Sequence, residues 1–143
     1  MVKLTKEMQA AFSQIEVFPV ATAAADGTPN VVPMGACRLA DEETIWIADV
    51  LMKRTLLNVK ENPKIAIYIW GPETEGCLQI KGDVEIKSEG PEVEEMNQVL
   101  HRDVDEGINA KNVLVVKVKE VHECTAGPDS GIFCNTLLQA RAL

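Results

Sequence analysis

Lys53, Arg54 and Thr55 stand together at the start of a short predicted helix, and no other segment joins residue types that so directly suggest chemistry. A helix start already carries partial positive charge and unpaired backbone N–H groups. Two cations placed there cost roughly 0.3–1 kcal/mol each unless something negative compensates. A phosphate would do so, because a guanidinium, an ammonium, a hydroxyl and exposed amides can all donate to one dianion. The segment lacks the glycine-rich loop of triphosphate sites, which favours a terminal monophosphate over a polyphosphate. The competing reading is a pair of ordinary solvated cations on an acidic protein, with Glu42, Glu43 or Asp49 available as partners.

Elsewhere the chemistry is thinner. His122 and Cys124 share a strand face, and Cys134 follows a Gly-Pro-Asp-Ser-Gly turn, which would complete a three-ligand metal site. Buried cysteine acting as a small hydrophobe is commoner, so no metal is expected. His101 sits on an acidic helix and reads as a surface residue. No serine or cysteine has partner spacing for a nucleophilic triad, and no catalytic side chain is expected.

The elements that must position Lys53–Thr55 are legible from periodicity. Leu4, Met8, Ala11, Phe12 and Ile15 recur at helical spacing around Thr5, a predicted N-cap. The period then changes. Residues 17–24 and 29–39 are apolar, valine-rich and joined across Asp26-Gly27, a strong hairpin signal. Residues 44–48 make a third strand, and 53–61 a helix with Met52, Leu56 and Val59 on one face, stopped by Asn62-Pro63. Residues 65–70 are apolar throughout, which predicts a central strand covered on both faces. Residues 77–87 alternate in polarity, with Gly82 marking a bend or bulge. Pro91 opens a second amphipathic helix through Val93, Met96, Val99 and Leu100, and 112–124 is the last strand. In the tail, 125–143, Leu137, Leu138 and Ala142 are placed to dock a closing helical turn. Trp46 and Trp70 fall in strands and are expected in the core. Six closely spaced strands predict a mainly β chain, a closed or partly closed antiparallel barrel with short flanking helices.

Composition narrows the function classes. At 143 residues, 46% hydrophobic and 25% charged, residues 1–143 are expected to form a single domain. With 22 acidic against 14 basic side chains and a net charge of -8, scattered cations offer no nucleic-acid surface. The longest apolar run, 17–25, is too short to span a bilayer, and no signal-peptide core precedes it. A cytoplasmic protein with no membrane partner is expected, its four cysteines read as thiols.

The order of elements resembles the FMN-binding split-barrel family, pyridoxamine 5'-phosphate oxidase-like, and its small FMN-binding branch. The likeness rests on VATAAADGTPNVVPMGACRL, TIWIADV, MKRTLLNVKENPKIAIYIW and CLQIKGDVEI, and runs over residues 8–122. It implies a six-stranded antiparallel split barrel of Greek-key type and a homodimer with FMN at the subunit interface. It further implies redox chemistry with a small substrate or a nicotinamide cofactor. Some members of that family only carry the flavin, and others hold a deazaflavin or haem. By position, Arg54 and Thr55 match residues that bind the flavin phosphate, with Lys53 adjacent. Val32, Pro33, Met34 and Gly35 match the segment beneath the ring and ribityl chain, and Ala48, Asp49 and Val50 the strand end along the ring's edge. The basic C-terminal segment of the vitamin-synthesising oxidases has no counterpart, so oxidation of pyridoxamine phosphate itself is not expected.

Overall fold

The computed structural model describes residues 2–71, 74 and 76–124. Its elements are α1 (Lys6–Ser13), β1 (Phe18–Ala23), β2 (Pro29–Met34), β3 (Cys37–Asp41), β4 (Thr44–Asp49), α2 (Arg54–Glu61), β5 (Lys64–Ile69), β6 (Leu78–Lys87), α3 (Pro91–Asp103) and β7 (Asn112–Glu123). The residues at their ends explain where several begin. Thr5 caps α1, its Oγ1 accepting from the Met8 N–H at 3.3 Å. Pro91 opens α3 directly after Gly90, whose φ of 102° suits only glycine. In the β1–β2 hairpin, Gly27 has φ 89° and Asp26 Oδ1 accepts from the Thr28 N–H at 2.9 Å.

All seven strands join one antiparallel sheet in the order β2-β1-β5-β6-β7-β4-β3. Its two edge strands are consecutive in sequence, since β2 ends at Met34 and β3 begins at Cys37. Three Cα–Cα steps reach no further than about 11 Å. The sheet therefore curls until its opposite edges meet at Gly35 and Ala36, where the Ala48 N–H donates to the Ala36 carbonyl at 2.9 Å. The result is the expected split barrel, with seven strands where the sequence suggested six. Residues 29–39 read as one strand because only Asn30 and Arg38 interrupt the apolar run, yet the first half pairs with β1 and the second with β4. Pairing partners at opposite sheet edges, which periodicity does not encode, divide the segment.

Inside the curl, Phe18 and Val20, Ile45 and Ile47, Ile65, Ile67 and Ile69, Ile80, and Leu114, Val116 and Val118 form one core. Phe12 of α1 and Val59 of α2 pack onto it. On the outer face α3 lays Val93, Met96 and Leu100 over Val113, Val115 and Ala48, so β4 and β7 are buried on both sides. Double coverage is why these strands lack polar alternation. β5 is central but covered on one face only. Its inward isoleucines are buried, Ala66 and Tyr68 are half-buried, and Trp70 lies past the strand end at 46% exposure, outside the core expected for it. Trp46 is half-buried under the Arg38 guanidinium, 5.6 Å from the ring centroid. The bulge expected at Gly82 is present as a register shift between Lys81 and Gly82 against β7. Among the described residues no helix is long and apolar enough to cross a membrane. The tail from 125 onward, Cys134 included, lies outside the described residues.

Candidate anion and cofactor site

α2 begins without a cap. Lys53 occupies the N-cap position and makes no side-chain cap hydrogen bond, and no acidic residue lies in the first turn. The first-turn amides of such a helix point outward with no intrahelical acceptor. Arg54, the first helical residue, is exposed, and so is Lys53. Neither cation has a carboxylate partner among the described residues. Glu42 bonds Lys3 instead, and Asp49 turns inward. The fold thus leaves both cations solvated and does not pair them with Glu42, Glu43 or Asp49. Arg54 lines a cleft of 560 Å³ between α2 and the β1–β2 hairpin, together with Asn30, Asn58, Thr28, Asp26 and Glu61. Asp26 and Glu61 make parts of that cleft acidic, which confines an anion to the Arg54 end.

Asp49 explains how the helix start is held. Only 1% exposed, its Oδ1 accepts from the Met52 N–H at 3.0 Å and its Oδ2 from Asn112 Nδ2 at 2.7 Å. Its carbonyl accepts from the Lys111 N–H at 2.8 Å. The carboxylate therefore pins the loop from β4 into α2 against β7 and leaves any ligand contact of this residue to its backbone. Replacing Asp49 by alanine orphans a backbone donor and a side-chain amide. The expected loss is about 1–3 kcal/mol of stability, read as a lower denaturant midpoint at unchanged slope.

A second polar group lies beneath the cleft and was not singled out from sequence. Thr22 and Asn30 are directly opposed on β1 and β2. Asn58 Nδ2 donates to Thr22 Oγ1 at 3.0 Å, and Asn30 Nδ2 reaches Thr22 Oγ1 at 3.4 Å and Thr55 Oγ1 at 3.3 Å. Thr22, Thr55 and Asn58 are each at most 5% exposed. Thr55 is thus buried and accepts from Asn30, whereas Arg54 beside it is exposed and lines the cleft. The signal in the sequence was a threonine at the inward position of an otherwise apolar alternation, Phe18, Val20, Thr22, and an asparagine three residues after Thr55 on a buried helix face.

The remaining predicted residues follow β2 away from Arg54. Val32 and Met34 are half-buried, Pro33 and Gly35 are exposed, and Gly35 sits at the corner where the sheet edges meet, one residue before the Ala36–Ala48 hydrogen bond. Gly35 has no positive φ, and a Cβ there would come no nearer than 4.0 Å to the Glu16 carbonyl. Neither backbone conformation nor internal packing asks for glycine. β2 thereby links two groups of predicted residues, the helix start near Asn30 and the corner carrying Gly35, Ala48, Asp49 and Val50. Cys37, just past that corner, has its thiol pushed up to about 12 by burial and stays protonated near neutral pH, which disqualifies it as a nucleophile. Among the described residues no three His, Cys, Asp or Glu side chains are grouped to hold a metal. His122 instead faces Glu120 Oε2 at 3.0 Å.

Residues 4–125 match the family model described as pyridoxamine 5'-phosphate oxidase. The chain belongs to the pyridoxamine 5'-phosphate oxidase family. An uncharacterized protein of Methanocaldococcus jannaschii is 37% identical over 139 residues, spanning 91% of this chain and 87% of that one. The crystal structure of HupZ from Group A Streptococcus superposes with a TM-score of 0.77 at 27% identity, covering 92% of this chain and 100% of that one. An FMN-binding protein of Syntrophomonas wolfei superposes at 0.71 with 15% identity, over 80% and 81% of the two chains. An F420 reductase (TM-score 0.58, 22% identity, over 73% of this chain and 87% of that one) and a heme storage protein of Vibrio cholerae (0.66, 15% identity, over 87% and 97%) share the fold. One fold thus serves proteins named for three different cofactors.

Proposed function

We propose that this member of the pyridoxamine 5'-phosphate oxidase family binds FMN and is an FMN-dependent oxidoreductase acting on a small substrate or a nicotinamide cofactor. The observation that carries the reading is the uncapped start of α2 with Arg54 beside it, which has no carboxylate partner among the described residues. Guanidinium, first-turn amides and the Thr55 hydroxyl are the donor set of a phosphate monoester site, and Lys53 adds an ammonium at its rim. From Asn30 on β2 to Gly35 just past its end the chain spans roughly 17 Å, a span that suits an extended flavin mononucleotide. Arg54 would hold the phosphate, Val32 and Pro33 would flank the ribityl chain, and Met34, Gly35 and the backbone of Ala48, Asp49 and Val50 would meet the ring. FMN when bound supplies hydride and one-electron chemistry, so the protein needs no acid–base side chain of its own. Its residues bind, orient and exclude water.

Homodimerisation belongs to the same reading. On the outer face, Val31 of β2 opposes Ala21 of β1, which opposes Ala66 of β5. Val31 is 66% exposed, and this apolar strip, bordered by Lys64 and Lys81, is what a second copy would cover, completing the ring site in the cytoplasmic protein. The purified protein is expected to bind one FMN per chain with a yellow two-band absorption spectrum. A single deazaflavin band or a sharp Soret band would replace FMN by another cofactor. Flavin-loaded protein that accepts no hydride from NADH or NADPH and reacts with no small oxidant would make it a carrier.

A further inference from the structure

Thr55, Asn30, Thr22 and Asn58 make a near-closed polar ring that leaves α2 at its first turn, crosses β2 and β1, and returns to α2 three residues on. The donors and acceptors in it are unevenly assigned. A side-chain amide nitrogen carries two hydrogens, and both of those on Asn30 point inward, to Thr22 Oγ1 and Thr55 Oγ1. Thr22 and Thr55 are therefore both acceptors within the ring, and neither hydroxyl proton has an acceptor among the described residues, although the side chains are only 5% and 2% exposed. Of the two, that of Thr55 belongs to the helix position next to Arg54. We propose that Thr22 and Asn58 are positioning residues for phosphate recognition. By holding the Asn30 amide inward they free the Thr55 hydroxyl to donate to a phosphate monoester bound at the start of α2. The inference rests on the FMN reading above and adds to it the residues that set the donor direction.

The test compares FMN with riboflavin, which lacks only the phosphate, by quenching of flavin fluorescence. Thr22→Val keeps the side-chain shape and removes the hydroxyl. It should weaken FMN about fivefold, the equivalent of one neutral hydrogen bond, and leave riboflavin unchanged, whereas Thr22→Ser should restore the wild-type preference. Equal weakening of both flavins, or of neither, would reduce Thr22 to a packing residue and overturn the proposal. If the wild type itself fails to prefer FMN over riboflavin, the FMN reading fails first and the positioning role falls with it. A measurement on the unaltered protein covers the case in which Thr22→Val does not fold. The Asn30 side-chain amide protons should resonate at the same positions with FMN as with riboflavin. A downfield displacement specific to FMN would show the ring reversed, with both hydroxyls donating to Asn30 Oδ1 and the amide facing the phosphate, and would reject Thr55 as the donor.

Discussion

Replacing Arg54 by alanine lowers the affinity for FMN by roughly 10- to 100-fold while riboflavin binds as before. The size follows from the 1.5–3 kcal/mol that a hydrogen bond to a charged group contributes, at 1.4 kcal/mol per factor of ten. Arg54 supports this directly, because it is exposed in the cleft and spends its charge on no carboxylate among the described residues. Removing it therefore frees no buried partner and leaves the fold intact, so thermal stability should stay within about 0.5 kcal/mol of wild type. Adding Thr55→Ala deepens the loss of FMN and, since Thr55 is buried and bonded to Asn30, also lowers stability. Isothermal titration of both flavins at low and moderate salt separates the two effects, because the Arg54 contribution weakens with ionic strength and the Thr55 contribution does not. A double variant that still binds FMN as tightly as wild type, with riboflavin no weaker, would remove the phosphate from this helix start.

Gly82→Ala should destabilise the protein by about 3 kcal/mol or more, a large share of the total stability of an ordinary domain. A Cβ built on Gly82 would lie 2.6 Å from both the Lys117 carbonyl oxygen and Val116 Cγ1. These are not flexible side-chain ends. Val116 is fully buried, and the Lys117 carbonyl belongs to β7, paired with β4 on one side and β6 on the other. The new methyl group therefore has to displace sheet backbone at the bulge where β6 and β7 change register. A fall in melting temperature of roughly 10 °C is expected by circular dichroism. Gly35→Ala supplies the contrast, since open space surrounds that position and its stability cost should be small. A Gly82→Ala protein as stable as wild type would mean that the bulge has room to relax.

Much of this protein follows from its sequence. Thr5 and Pro91 mark helix starts because one supplies a capping oxygen and the other a preset φ, and both do so without distant partners. Asp26-Gly27 turns the first hairpin for the same local reason, and Gly82 announces its bulge as a missing side chain in an apolar face. The concentration of donors at Lys53, Arg54 and Thr55 is equally local, since it needs only a helix start and its three residues. Other features were settled by tertiary contacts alone. The break of one apolar segment into β2 and β3 comes from pairing with strands at opposite edges of the curled sheet, and β5 is open on one face because α3 covers β4 and β7 instead. Asp49 is an acidic residue, yet its side chain faces the interior because Asn112 lies directly across the ladder. Thr22, Asn30, Thr55 and Asn58 are ordinary polar residues spread over 36 positions, and they act together only after the hairpin folds beneath α2. Local stereochemistry places caps, turns and charge, whereas the direction a buried polar side chain faces depends on which distant partner the fold brings within hydrogen-bonding reach.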